Sequence, residues 1–168
     1  TGNIEMISPF EYRYGSDEMR QIWTLENQRM TWRKLWVSWA EIQYALGLVT
    51  TEQFGDVASS ETLIDTATSL EYEKKLGHDL VAELQVFAEQ CPVGGSILHF
   101  CLTSADIKDN ADVLLQKQAL EIVLTKLRSL LLTLVEQVEK HQKTICMGYT
   151  HLQSAEPTTF GYRLAGYL

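Results

Sequence analysis

Four short segments of this sequence carry side chains that could bind an anionic small molecule or transfer a proton. They contain Arg13 and Tyr14, His78 and Asp79, the run from His99 to Ser104, and His151 between Thr150 and Gln153. Arginine offers a planar fork of N–H donors for phosphate or carboxylate, tyrosine a directional hydroxyl, and histidine a proton near neutral pH. For Arg13 and Tyr14 the alternative is an ordinary exposed arginine beside a packing tyrosine.

The segment KKLGHDL places His78 between Gly77 and Asp79. A helix that begins here would present free backbone N–H groups, which favour an anion. The neighbouring carboxylate would keep the imidazole protonated if the two side chains approach each other. The pair could equally do no more than cap a helix at a bend, because Asp is a preferred capping residue.

The segment LHFCLTSADIKDN places Thr103 and Ser104 at the predicted start of a long helix. Two hydroxyls together with free N–H groups could bind a carboxylate, or they could be a helix cap and nothing more. His99 could be a core histidine whose ring nitrogens are satisfied. His78 and His99 lack a closely spaced third ligand, so we expect no metal site.

His151 is surrounded by the neutral hydrogen-bonding side chains of Thr150, Gln153, Thr158 and Thr159. Residue types alone leave it either structural or catalytic. The sequence has no GxSxG, GxGxxG or P-loop motif that would indicate a serine hydrolase, a dinucleotide-binding protein or a P-loop nucleotide-binding protein.

The composition narrows the possible functions. The 168 residues carry a formal net charge of −8 with a pI near 5.0, which argues against sequence-independent nucleic-acid binding. A small anionic substrate is still possible, because a few arginines and histidines can dominate one pocket. There is no CxxC pair among the three cysteines, no signal-peptide pattern and no apolar run approaching ~18 residues. We expect a cytoplasmic protein without membrane segments.

The spacing of apolar residues predicts helices throughout. One helix is expected from Ser16 to about Ala45, ended by Gly47, with a buried stripe formed by Trp32, Leu35, Trp36, Trp39, Ile42 and Leu46. Further helices are expected over 51–57, from Ser60 to a stop at Gly77, and over 79–90. No segment shows convincing strand alternation, so the predicted fold class is all-α.

The last predicted helix begins at Thr103 or Ser104 and continues to roughly Ile145. About 40 residues at about 1.5 Å each span on the order of 60 Å. Its middle is apolar on most faces and needs neighbours on several sides, which we expect partner subunits to supply. Ser104 and His151 lie at opposite ends, so they could share a site only between antiparallel copies, unless the chain folds back. We expect a helical domain over 1–103 and the first part of a helix bundle over 104–168.

In order and spacing these segments resemble the adenylosuccinate lyase family of the fumarase/aspartase superfamily. The resemblance covers residues 10–168 and rests on Arg-Tyr, WRKLWVSWAEIQYALG, KKLGHD, ILHFCLTSADIKDNAD and THLQSAEPTTFGYRLA. The WRKLW helix and the early Arg-Tyr favour this family over argininosuccinate lyase or fumarase. The resemblance implies an elongated helix bundle, a homotetramer with active sites built from three subunits, and no cofactor or metal. It also implies that the chain is an N-terminal fragment, inactive alone because the serine base lies in a loop beyond Leu168.

The activity implied by the resemblance is β-elimination of fumarate from adenylosuccinate, giving AMP, and from the purine intermediate SAICAR, giving AICAR. By position, Arg13 and Tyr14 correspond to the phosphate-binding pair, and Thr103 and Ser104 to the pair that binds the succinyl group. His151, flanked by Thr150 and Gln153, corresponds to the general acid. His78, followed by Asp79, corresponds to the histidine that assists near the phosphate. His99 has a less defined role among the substrate-binding residues.

Three positions depart from the family pattern. Glycine is common where this chain has Cys101, proline where it has Ser154, and glutamine where it has Glu156. The first change could alter a close backbone approach, and the last adds negative charge near an anionic substrate. Two alternatives stay open: another lyase of the superfamily, of argininosuccinate or carboxymuconate type, and a non-catalytic helical assembly module.

Overall fold

The structure, a computed structural model, describes residues 10 and 12–168. Residues 1–9 and 11 of the predicted first domain lie outside this range. Over the described residues the chain forms α1 Asp17–Ile22, α2 Leu25–Ala45, α3 Thr51–Ser59, α4 Thr66–Leu76, α5 Asp79–Gln90, α6 Ser104–His141, β1 Ile145–Thr150, β2 Gln153–Thr159 and α7 Phe160–Ala165. The predicted all-α class is confirmed, with one small hairpin added.

One helix start was missed and one predicted start is wrong, and in both cases a side-chain cap decides the true start. The helix expected from Ser16 to Ala45 is interrupted, because Thr24 caps α2 by accepting the N–H of Asn27 at 3.2 Å. Ser60 ends α3 instead of opening α4. The cap of α4 is Asp65, whose carboxylate accepts the N–H of Thr68 at 3.0 Å. The hydrogen bonds that Asp65 accepts from the backbone N–H and the hydroxyl of Thr68 lower its pKa.

Two compact units make up the chain. The first ends at Ala119 and the second is Leu120–Leu168, so α6 begins in one unit and ends in the other. The predicted domain boundary between residues 103 and 104 stays a prediction. None of the helices among the described residues is long and apolar enough to cross a membrane.

The core of the first unit is built around α2 and α5. Trp32 and Trp36 are fully buried, as the apolar spacing predicted, but Ile42 and Leu46 of the same predicted stripe are exposed. The stripe therefore covers only part of its predicted length. The buried cluster consists of Trp32, Trp36, Ala40, Val57, Leu80, Phe87, Cys91, Ile107 and Ala111.

A buried ion pair crosses this core. The Arg33 Nε–H donates to Glu83 Oε1 at 2.7 Å, and both side chains are fully buried. The Nη1 of Arg33 also donates to the carbonyls of Ser60 and Leu63, both at 3.1 Å, and to the side chain of Gln90 at 2.7 Å. The pair ties α2 to α5 and to the connection between α3 and α4.

The second unit contains the structural feature that the sequence pattern did not predict. Strands β1 and β2 pair in antiparallel fashion, from Ile145 opposite Thr159 to Thr150 opposite Gln153. Helix α7 follows at once, and a Cβ at its buried Gly161 would lie 2.7 Å from the carbonyl oxygen of Val138. Only glycine allows α7 to lie this close to the end of α6.

The ion pair generates a stability prediction. Replacing Glu83→Ala leaves the buried guanidinium of Arg33 without its counter-charge, so we expect the free energy of unfolding to fall by about 3–5 kcal/mol. Urea unfolding of the full-length protein, followed by the fluorescence of the buried tryptophans, measures this. The control Glu71→Ala, at an exposed carboxylate of α4, should change the value by less than about 0.5 kcal/mol. Equal effects of the two variants would contradict the role given to the ion pair.

Candidate active-site residues

His78 lies at the N-terminus of α5, where it is the capping residue. Its Nδ1 accepts the backbone N–H of Val81 at 3.4 Å. Its Nε2 lies 3.5 Å from Ser104 Oγ at the start of α6. The imidazole side chain is 43% exposed. One nitrogen of the ring, Nδ1, therefore caps α5, while the rest of the imidazole is partly accessible to solvent.

Asp79 and Lys108 form an ion pair beside this histidine. Lys108 Nζ lies 2.7 Å from Asp79 Oδ2, and the N–H of Leu80 donates to Oδ1 at 2.8 Å. Partial burial raises the pKa of Asp79, but the hydrogen bonds from Lys108 and Leu80, with the charges of Lys108 and Arg29, outweigh it. The pKa of Asp79 is therefore below its ordinary value. Asp79 Oδ1 lies 3.5 Å from His78 Nδ1, longer than a good hydrogen bond.

Thr103 and Ser104 lie where α6 begins. The carboxylate of Asp106 accepts the backbone N–H of Thr103 at 2.8 Å, which satisfies one of the free donors of this helix end. Thr103 is exposed and Ser104 half-buried. The N-termini of α5 and α6 therefore present His78 and Ser104 to each other.

His99 is a partly buried histidine held by a tryptophan of α2. The indole N–H of Trp36 donates to His99 Nδ1 at 3.1 Å, and the two rings meet edge to face. Burial lowers the pKa of His99, against the opposing charge of Asp106. Both observations favour a neutral imidazole, in agreement with the structural interpretation of this residue. A contact of His99 with substrate stays a prediction.

Cys101 has a backbone conformation that suits glycine. Its φ is 59°, and His99 in the same loop has a φ of 64°. This left-handed region is unfavourable for side chains with a Cβ. The loop nevertheless leads directly into Thr103 and Ser104, and it is held by the indole N–H of Trp39, which donates to the carbonyl of Phe100 at 2.9 Å.

His151 lies at the tip of the hairpin. It and Leu152 are the two turn residues, with φ of 50° and 61°, as a type I′ turn requires. Thr150 and Gln153 face each other as the last pair of the two strands. His151 is exposed and Leu152 is 97% exposed. The three predicted site residues of this segment, Thr150, His151 and Gln153, therefore lie in one tight turn.

The two departures in this hairpin lie on β2. Ser154 pairs with Tyr149, while Glu156 lies in a bulge opposite Gly148. A Cβ on Gly148 would lie 2.9 Å from the carbonyl oxygen of Glu156. Glycine at position 148 therefore permits the bulge, and the Glu156 side chain is exposed.

Arg13 and Tyr14 lie in the segment that precedes α1. The Arg13 guanidinium lies 5.8 Å from the ring centre of Tyr12, and the rings of Phe10 and Tyr14 are 5.3 Å apart. Arg20 of α1 organises this segment, since its Nη1 donates to the carbonyls of Tyr14 at 3.3 Å and Gly15 at 3.0 Å. Both predicted phosphate-binding side chains are exposed.

The structure thus brings His78, Asp79 and Ser104 together and adds Lys108, which the sequence analysis missed. Lys108 lies within the segment LHFCLTSADIKDN, but nothing in that segment indicates its pairing with Asp79, which lies 29 residues away. Among the described residues, no group of three or more His, Cys, Asp or Glu side chains could hold a metal ion.

The sequence profile of the lyase family matches residues 39–168. Since the match covers most of the chain, the chain belongs to this family. Its relatives include adenylosuccinate lyases from Methanocaldococcus jannaschii, at 38% identity over 98% of this chain, and from Schistosoma mansoni, at 36% over 95%. An adenylosuccinate lyase of Bacillus subtilis is 36% identical over 91%. The chain spans 36%, 34% and 35% of these three proteins, about a third of their length.

Solved structures agree on the fold. A fumarate lyase from Mesorhizobium matches 92% of this chain with a TM-score of 0.83 and 24% identity. The β-carboxy-cis,cis-muconate cycloisomerase of Acinetobacter calcoaceticus matches 95% with a TM-score of 0.86 and 20% identity. The chain covers 38% and 39% of those proteins. At these identities the likeness shows the shared fold.

The backbone at Cys101 generates a second prediction. Cys101→Gly removes the Cβ from a left-handed residue, and we expect it to raise the free energy of unfolding by about 1 kcal/mol despite the greater freedom of glycine in the unfolded chain. Cys101→Ala is the matched control, because it removes the thiol and keeps the Cβ. Urea unfolding of the two full-length variants measures the difference. A glycine variant no more stable than the alanine variant would contradict the strain argument.

Proposed function

We propose that the protein containing this chain releases fumarate from adenylosuccinate, giving AMP, and from SAICAR, giving AICAR. The observation that carries the proposal is the meeting of His78 and Ser104 at two helix N-termini, at 3.5 Å, in a chain similar to proteins named adenylosuccinate lyase. The adenylosuccinate lyase relatives favour these substrates over those of other lyases of the superfamily.

The reaction is an elimination in which each residue type has a physical reason. A proton leaves the carbon beside a carboxylate, the electron pair forms the double bond of fumarate, and the C–N bond breaks. Negative charge accumulates on the carboxylate as the proton leaves, so donors must point at it. Thr103 and Ser104 supply hydroxyls there, and the first N–H groups of α6 add their partial positive charge.

The departing nitrogen is a poor leaving group unless it takes a proton. We assign that proton to His151, whose exposed position in a strained two-residue turn supports the role. Thr150 and Gln153, which close the turn, would hydrogen-bond the substrate beside it. The base that removes the carbon-bound proton comes from the rest of the protein.

The remaining predicted residues bind the other end of the substrate. Arg13 and Tyr14 would bind the phosphate through the guanidinium fork and the phenol hydroxyl. His78 would contact the substrate near the phosphate, with Asp79 and His99 close by. The exposed edge of His78 and the exposed side chains of Arg13 and Tyr14 support these assignments.

Removal of the proposed acid gives a direct test. His151→Ala in the full-length protein should lower kcat for fumarate release from adenylosuccinate by at least about 100-fold, because the nitrogen would leave without a positioned proton donor. The change in absorbance as substrate disappears measures this. Gln142→Ala, at an exposed residue between α6 and the hairpin, is the control and should keep wild-type turnover. Wild-type-like turnover by His151→Ala would contradict the role of His151. If the wild-type protein itself showed no turnover, the proposed activity would be wrong.

We also propose a homotetramer whose active sites combine residues of different subunits. The part of α6 in the second unit exposes a series of apolar side chains, which water does not favour and which other helices could bury. They are Leu120, Val123, Leu124, Leu127, Leu130, Leu132 and Val135. We further propose a cytoplasmic location, supported by the free thiols Cys91, Cys101 and Cys146 and testable by cell fractionation.

If active sites are shared between subunits, two inactive variants should restore activity when they assemble in one mixed tetramer. Ser104→Ala and His151→Ala proteins, co-expressed with different tags and purified through both, should show activity well above either variant alone. Some of their mixed sites would contain intact Ser104 from one subunit and intact His151 from another. Two differently tagged His151→Ala chains are the matched control and should stay inactive. Mixed tetramers that remain at the level of the single variants would rule out sharing between subunits.

A further inference from the structure

Lys108 is a cation of α6 to which neither the sequence analysis nor the proposed chemistry gives a role. Its ammonium group lies 2.7 Å from Asp79 Oδ2, so it joins the second turn of α6 to the first residue of α5. Both side chains are partly exposed, at 39% for Lys108 and 30% for Asp79. The pair lies beside the contact between His78 and Ser104, which joins the same two helix ends.

Both carboxylate oxygens of Asp79 accept hydrogen bonds from groups other than His78. One accepts the N–H of Leu80 at 2.8 Å and the other accepts from Lys108. His78 Nδ1 lies 3.5 Å from the nearer oxygen and instead accepts the N–H of Val81. An imidazole nitrogen that accepts this N–H cannot also hold a proton for Asp79. In the observed arrangement the cationic partner of Asp79 is therefore Lys108 and not His78.

We propose that Lys108 is a positioning residue, which pairs with Asp79 and so leaves His78 as the cap of α5 with its Nε2 facing Ser104. This rests on the proposed function, because that function gives the placement of His78 its purpose. Lys108 acts through Asp79 and touches no reacting atom in this account.

Removing the ammonium group of Lys108 should change the protonation of His78. An uncompensated carboxylate favours the protonated form of a neighbouring imidazole. Asp79 on its own helix faces His78, Lys108 of α6 pairs with Asp79, and Arg29 of α2 acts on Asp79 by its charge. Without Lys108, His78 should take a proton at Nδ1, turn to Asp79 Oδ1, and give up the N–H of Val81.

The first test measures the protonation of His78 without using activity. Diethyl pyrocarbonate modifies neutral imidazoles, so its rate at His78, located by mass spectrometry across a pH series in the full-length protein, has a pH midpoint. We expect Lys108→Met to raise that midpoint by about one pH unit. Lys108→Arg should leave it at the wild-type value, because the cation is kept. Lys117→Met is the matched control, since Lys117 is an exposed lysine of the same helix in the same unit.

A double variant protects the test against a general loss of folding. In Asp79→Asn with Lys108→Met the carboxylate is gone, so the midpoint at His78 should return to within a few tenths of a pH unit of the wild-type value. An unchanged midpoint in Lys108→Met, or a double variant shifted as far as the single one, would overturn the proposal.

The second test separates this proposal from the proposed function. With adenylosuccinate, the acid limb of the kcat/KM profile should move to higher pH in Lys108→Met and stay in place in Lys108→Arg. An acid limb that stays in place in an active Lys108→Met enzyme would overturn the positioning role. A wild-type protein that releases no fumarate would refute the function, while the midpoint at His78 would still decide whether Lys108 sets its protonation.

Discussion

The buried pair of Arg33 and Glu83 is the interaction on which the arrangement of the first unit depends. Two charges removed from water are tolerated when they are paired and hydrogen-bonded. Arg33 is paired with the Glu83 carboxylate through Nε, and its Nη1 donates to one side-chain amide and two backbone carbonyls, while Arg33 Nη2 and Glu83 Oε2 make no hydrogen bond. These partners lie on α5 and on the connection between α3 and α4, so the ion pair fixes the positions of both segments relative to α2. Glu83 lies little more than one turn after His78 on α5, so the constraint extends to the candidate site.

Backbone strain is concentrated in the segments that carry candidate site residues. The non-glycine residues with positive φ in the described part of the chain are His99, Cys101, His151 and Leu152. The first two lie in the loop before Ser104, and the other two form the hairpin turn. Such conformations cost free energy and persist where the surrounding structure holds them. Here the holding contacts are the indole N–H groups of Trp36 and Trp39 in the loop and the ladder of β1 and β2 in the hairpin.

The sequence predicted those helix ends that are set by one residue and its immediate neighbours. Gly47 and Gly77 end α2 and α4 with positive φ, and Ser16 caps α1. The start of α2 was missed because Thr24 interrupts a long apolar pattern that contains no glycine or proline. The hairpin was missed for a related reason, since a turn built from His151 and Leu152 lacks the Asn-Gly type of signal that usually marks a type I′ turn.

By itself, the sequence determined the helical class, the lyase family and the residue types available for chemistry, because these follow from local spacing and from ordered motifs. Only the tertiary structure decided which of these residues meet. His78 reaches Ser104 across 26 residues, Asp79 reaches Lys108 across 29, and Trp36 reaches His99 across 63. Helix periodicity relates residues three or four apart, and it carries no information about pairs brought together by the packing of separate helices.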